Sequence, residues 1–321
     1  MTDTRKIAKV RASGGGIVAS VAAAVLTLLF IIDAGGTRDA VLSSLRLSAT
    51  SVIPAVFPCA VLSGLIVRLG GADKLGRLAE RPMRLLFALP GEAFCAIFLG
   101  FLCGFPVGAK TCTELFDRGS LSREEAERLL AFSSLASPAF VINAVGKGML
   151  GSAKAGVILF TALVLISLVS GTLLSLTARK GHKYLTTFAR PAKERESFSE
   201  ALIGSVNSAA DAMVRLCAFS AFFSAIPAVL LPLSATLPDT VRAAVAGLFE
   251  LSGGCAAAAS CSLPLPSVAA VLGWTGLAVH FQILSVIKGK LSSKRYFFVS
   301  LIRAVSIFFV LLFVSIPLSD I

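Results

Sequence analysis

Four apolar runs limit the folds open to this chain: Ile17 to Ala34, Ala155 to Ala178, Leu216 to Leu233 and Tyr296 to Leu318. Each reaches or approaches the ~20 residues that an α-helix needs to cross ~30 Å of hydrocarbon. Hydrophobic residues are 56% of the 321, charged residues only 15%, and the mean hydropathy is +0.86, which is more apolar surface than a soluble core of this length can bury. The expectation is an all-α polytopic membrane protein. The first run follows Arg5, Lys6, Lys9 and Arg11, as in a signal peptide, but its length and the spans after it predict an uncleaved first helix. The cysteines stand singly in apolar segments and predict neither a disulfide nor a zinc framework.

Basic residues crowd the N-terminus, the segment from Arg68 to Arg84 and the loop from Arg179 to Arg195, and Lys288, Lys290, Lys294 and Arg295 mark a fourth cluster. Such clusters predict cytoplasmic loops and a cytoplasmic N-terminus. Segments Leu233 to Thr240 and Leu318 to Ile321 carry no basic residue and are expected outside. The net charge of +12 fits this rule and also an anionic substrate. Helices are expected over about Val52 to Leu69, from Ala155, over about Met213 to Leu231, and over Tyr296 to Leu318.

The stretch "CGFPVGAKT", Cys103 to Thr111, matches the phosphate-loop pattern G-x-x-x-x-G-K-[ST] except at Ala109. No polar α/β domain surrounds it, and Pro106 lacks an N–H, so the nucleotide reading fails and no enzyme is expected. The apolar residues from Glu92 to Cys103 cover only ~18 Å as a helix, which predicts a re-entrant hairpin turning near Gly104 to Gly108. Ser122 and Glu125 form a capping box that opens a new helix, and Pro138 in "SSLASP" interrupts it.

The second half follows the same plan. "GLFELSGG", Gly247 to Gly254, breaks a second short apolar pair, and "GWTG" softens the helix after it. Ala131 to Gly148 laid over Leu272 to Gly289 gives five identities in eighteen, Phe140 on Phe281 and Lys147 on Lys288 among them. Lys147 is expected outside and Lys288 inside, so the halves would be inverted repeats of the kind found in secondary transporters. About seven transmembrane helices and two re-entrant hairpins result. The chain divides into a basic segment with the first helix (1–40), a first repeat (41–178), a cytoplasmic basic loop (179–200) and an inverted second repeat (201–321).

Breaks in a membrane helix point at sites, because unpaired backbone persists at depth only inside protein or beside a wet cavity. A half-helix starting just after Gly108 would aim free N–H groups at a carboxylate, with Gly104, Phe105, Pro106, Gly108 and Ala109 forming the turn. Lys110 either faces that anion or snorkels to the interface. Glu250 either handles a coupling cation or proton or pairs with Arg303 or Lys110, and His280 either titrates or packs. Ser133, Ser134, Ser137 and Asn143 near the first break, and Gly253, Gly254, Thr275 and Gln282 in the second half, complete the candidate binding set. Asp211 and Arg215, four apart, are expected to pair with each other. The expected partners are a small anionic substrate and the bilayer, with no nucleic acid and no cofactor beyond a coupling cation.

With "GFPVGAK", "SREEAERLLAFSSLASPAF", "GLFEL" and "GWTGLAVHFQ", the chain resembles the YlbJ-type sporulation integral membrane proteins of the nucleoside-recognition (Gate) family, from roughly Val52 to Val310. The resemblance implies an arrangement like half of a concentrative nucleoside transporter and a homo-oligomer. For the YlbJ type it implies carriage of dipicolinic acid across the outer forespore membrane. A nucleoside, another small metabolite, or a non-transporting scaffold role in sporulation stays open. "RLCAFSAFF" and "PGEAFC" depart from the glycine-rich pattern of that family.

Overall fold

The computed structural model describes residues 14–181, 196–232 and 236–315, so the N-terminal basic cluster, most of the Arg179 to Arg195 loop and the final six residues lie outside it. Helix α1 spans Gly14–Ile32, and the Asp33 carboxylate accepts the Gly36 amide at 2.9 Å to start α2, Ala34–Leu47. Here the structure corrects the expected first helix, which ends at the cap and not at Ala34. The second helix also differs from expectation. A π-turn at Ser48–Val52 joins α2 to α3, Ile53–Arg68, as one apolar helix from Ala34 to Arg68. The widened turn meets Pro54, whose missing N–H would leave a gap in a regular ladder, so the helix runs continuously through Val52, where it was expected to start.

Gly70, at φ 76°, turns the chain into α4, Gly71–Pro82, which runs on through the π-segment Met83–Phe87. A short pair follows, α5 (Ala93–Cys103) and α6 (Val107–Asp117), with the Phe105–Pro106 bond cis between them. The Ser122–Glu125 capping box opens α7, Arg123–Ser133, and residues 134–137 are non-helical before the π-segment Ala139–Met149. Helix α8 covers Ala153–Gly181. Helix α9, Phe198–Leu230, starts well before the expected Met213, at a second capping box formed by Ser197 and Glu200. A second short pair, α10 (Asp239–Phe249) and α11 (Leu251–Ser260), precedes a second interrupted helix, α12 (Leu265–Trp274) and α13 (Gly276–Ile287). Helix α14, Lys294–Ser315, ends the described chain.

Among the described residues, five helices are long and apolar enough to cross a bilayer: Ala34–Arg68, Ala153–Leu176, Phe198–Leu230, Leu265–Ile287 and Lys294–Phe313. The chain is a multi-pass, all-helical membrane protein among the described residues.

Ion pairs gather the polar ends of these helices at one end of the bundle. Arg68 meets Glu196 at 3.0 Å, and Arg118 donates to the carbonyls of Val67 and Arg68. Lys290 meets Asp117 at 2.8 Å, Glu127 accepts the Ser292 amide, and Arg295 lies 3.5 Å from Glu124. The end of α3, the start of α9, the start of α7 and the end of α13 therefore lie together, so α3 and α9 run in opposite directions, as do α7 and α13.

A candidate site where two helix breaks meet

Each short pair brings its tip against an interrupted helix. In the first half, the Phe105 amide donates to the Leu135 carbonyl at 2.8 Å, so the α5–α6 tip bonds the extended residues 134–137. Gly104 is at φ 77°, and a Cβ there would lie 2.7 Å from the Ser137 amide nitrogen, so only glycine allows this approach. In the second half, Glu250 is the extended residue between α10 and α11, and Gly276 opens α13 beside it. A Cβ on Gly276 would lie 2.9 Å from the Leu251 nitrogen. The α10 and α11 arms touch backbone to backbone, since a Cβ on Gly254 would stand 2.2 Å from the Gly247 Cα.

Between the two tips lies a cleft of about 50 Å³, lined by Phe105, Ser137, Phe140, Glu250, Ser252 and Gln282 together with residues of α2, α3 and α9. That volume is well below the ~300–1,000 Å³ of small-molecule sites, so a solute is held there only once the surrounding helices part. Among the described residues, Glu250 is the only charged one that lines the cleft, and no lysine or arginine does. Its carboxylate accepts the Gly253 amide at 2.6 Å and so caps α11, while the residue is 6% exposed. Gln282 reaches the Ser220 hydroxyl at 3.4 Å and has no partner for its Oε1, which leaves an acceptor for a ligand donor at the wall.

The predicted residues divide accordingly. Phe105, Ser137, Glu250 and Gln282 come together at the cleft. Pro106 precedes α6, which starts at Val107 and not after Gly108. Gly108 and Ala109 are buried in its first turn, where a Cβ on Gly108 would lie 2.5 Å from the Ser133 carbonyl. Lys110 is elsewhere: its Nζ lies 3.8 Å from Glu114 and 3.4 Å from the Ala60 carbonyl, on the face of α6 toward α3. Ser133 and Ser134 are buried at the end of α7 with unpartnered hydroxyls. Asn143 is exposed on the π-segment, away from the cleft lining. Gly253 and Gly254 shape the second pair. Thr275 is the left-handed residue, φ 75°, that interrupts α12 and α13. His280 is fully buried, with Nδ1 2.8 Å from the Tyr296 hydroxyl and its ring 4.4 Å from that of Trp274. Arg215 donates instead to the Ser285 carbonyl at 2.9 Å, and no ion pair joins it to Asp211 among the described residues.

Arg303 was expected only as an alternative ion-pair partner of Glu250, and among the described residues Glu250 pairs with neither Arg303 nor Lys110. Arg303 is fully buried on α14 and has no carboxylate partner among the described residues. Its Nε donates to the Gly273 carbonyl at 3.0 Å, in the last turn of α12, and its Nη1 reaches the Ser134 carbonyl at 3.5 Å, just after α7. Both are orphan carbonyls at helix C-termini. Each such end carries about −0.5 of an elementary charge, so two of them offset one guanidinium. Arg303 thus binds the second interrupted helix to the first, and it explains how a bare positive charge is tolerated at depth. Lone charge within a long apolar run was the available signal.

Residues 49–153 match the Gate family, described as nucleoside recognition. Over 134 residues the chain is 34% identical to the sporulation integral membrane protein YlbJ of Bacillus subtilis (strain 168), a match covering 42% of this chain and 33% of that protein. The matched stretch thus spans about a third of that relative's length. No solved structure matches. The Gate match contains Phe105 and Ser137 but stops before Glu250, Gln282 and Arg303.

Proposed function

We propose that this chain, a relative of YlbJ with a Gate-type segment, is an ATP-independent carrier that moves a small organic acid, dipicolinate by its resemblance, through the cleft by alternating access. The observation that carries this reading is the convergence of both hairpin tips and both interrupted helices on one cleft. Broken helices around a central site, contributed by halves of opposite direction, are how secondary transporters expose one site to two sides in turn. The opposed courses of α3 and α9, and of α7 and α13, support inverted repeats over 41–178 and 201–321, with α5–α6 and α10–α11 as re-entrant hairpins.

The electrostatics refine the substrate. A dianion placed beside Glu250 with no basic lining residue would meet only repulsion, so the acid travels with protons or a cation that Glu250 shares. Lys110, held by Glu114, takes no direct part. Serine and glutamine side chains on the wall supply hydrogen bonds to carboxyl or hydroxyl groups. The same lining favours a second reading, a nucleoside or similar neutral solute, which needs no charge compensation. The expected membrane is the outer forespore membrane, with basic loops toward the mother-cell cytoplasm.

Purified protein in liposomes tests the reading directly. Labelled dipicolinate should accumulate, faster when an inwardly directed proton or sodium gradient supplies the compensating charge. Uptake of a labelled nucleoside with none of dipicolinate would move the assignment to the second reading, and uptake of neither would remove the carrier function.

A further inference from the structure

The segment from Gly71 to Phe87 begins where the span Ala34–Arg68 ends, directly after the left-handed Gly70. It presents three faces. Ala72, Gly76, Ala79, Met83 and Phe87 are buried against the bundle. Leu75, Leu78 and Leu85 point outward, with Leu78 at 84% exposure and Leu85 at 72%. Lys74, Arg77 and Arg81, spaced three and four apart, form an exposed row beside the leucines, and none has an ion-pair partner among the described residues. At about 100° per residue, the basic row lies roughly 80° from the leucine row, and both lie on the far side of the helix from the buried row.

A leucine row next to a basic row matches the boundary between acyl chains and headgroups. Leucines enter hydrocarbon while the basic heads stay at phosphate level. An acidic soluble partner would satisfy the charges but leave Leu78 and Leu85 in water. The position of the segment at the end of a spanning helix also places it at the membrane surface.

Its inner face reaches the first hairpin. A Cβ on Gly91 would lie 2.0 Å from the Gly76 carbonyl oxygen, and Glu80, paired with Arg84, accepts the Gly91 amide at 2.7 Å. Glu92 then precedes α5, the first arm of the hairpin whose tip meets Ser137. We propose that residues 74–86 are a docking face for anionic phospholipid, with Lys74, Arg77 and Arg81 on the headgroup phosphates, and that a bound lipid steadies the base of the first hairpin through Gly76 and Glu80.

Each basic side chain near an anionic surface contributes about fivefold in partition, so three predict on the order of 100-fold preference for phosphatidylglycerol over phosphatidylcholine at this face. The full chain is placed in nanodiscs of phosphatidylcholine, of phosphatidylcholine with phosphatidylglycerol, and of phosphatidylcholine with added inorganic phosphate. Retained lipid is read by native mass spectrometry and amide exchange over residues 72–92 by hydrogen–deuterium exchange. Phosphatidylglycerol should be retained and should slow exchange over 72–92 several-fold. The exposed triple variant K74Q/R77Q/R81Q should lose both effects while keeping its thermal transition. Equal retention of the two lipids, or an unchanged lipid preference in the variant, overturns the proposal. So does equal protection by free phosphate, which would assign a phosphate site in place of a lipid one.

Discussion

Lys110 and Arg303, buried cations in the two halves of the molecule, are neutralised by different means. Lys110, in the first half, lies one helical turn from Glu114 and meets a carboxylate at 3.8 Å. Arg303, in the second, meets no carboxylate and is set against the carbonyl ends of α7 and α12. A charge balanced by a neighbouring side chain can be exchanged together with that side chain. A charge balanced by backbone cannot, because the carbonyls remain whatever residue replaces it. Local pairing therefore leaves Lys110 replaceable, whereas Arg303 belongs to the architecture.

The largest effect should come from Arg303. Arg303→Met leaves two buried carbonyls unpaired and should cost about 3–5 kcal/mol, the range for breaking a buried charge interaction. Arg303→Lys keeps the charge but cannot reach both carbonyls with one ammonium, so it should fall between. Thermal unfolding in detergent reads the order, and a Lys variant equal to wild type would break the contrast. Exchange should quicken at residues 134–137 and 273–276 together if Arg303 joins the two breaks, and at only one of them if it does not.

A smaller effect is expected at Lys110. Lys110→Met alone strands Glu114 and should destabilise by about 1–3 kcal/mol, and the double change with Glu114→Gln should recover most of it. Additive losses in the double-mutant cycle would mean that Lys110 answers to something other than Glu114. Uptake by the double variant should stay close to wild type, since neither residue lines the cleft.

Glu250 should show the mildest change in stability and the sharpest in transport. Glu250→Gln retains an oxygen to accept the Gly253 amide, so melting should shift by less than about 1 kcal/mol. Removal of the charge should abolish the dependence of uptake on the proton or sodium gradient. Retained gradient dependence would place the coupling site elsewhere.

The sequence showed the breaks better than it showed their neighbours. Pro138, Gly104 and the Gly247 to Gly254 run mark interruptions because each changes what the local backbone can do, whatever packs against it. The Ser122–Glu125 box was legible for the same reason, and the Ser197–Glu200 box, overlooked, carries the identical pattern. The site was legible in part: Phe105, Ser137, Glu250 and Gln282 flank breaks and do face the cleft. Lys110 was placed by its motif, but its direction depends on which face of α6 packs on α3, a tertiary fact without local trace. Arg303 stands alone in an apolar helix, and its partners, Gly273 and Ser134, lie 30 and 169 residues away.

The contact between Gly247 and Gly254 has a mechanical consequence. At that point the two arms meet backbone to backbone, and no layer of rotatable side chains lies between them there to compress or slide. The α10–α11 pair is therefore a stiff board, and any motion that opens the cleft on that side must swing the whole board from its ends, Cys261 to Pro264 among them, carrying Glu250 with it as a fixed point on the leading edge.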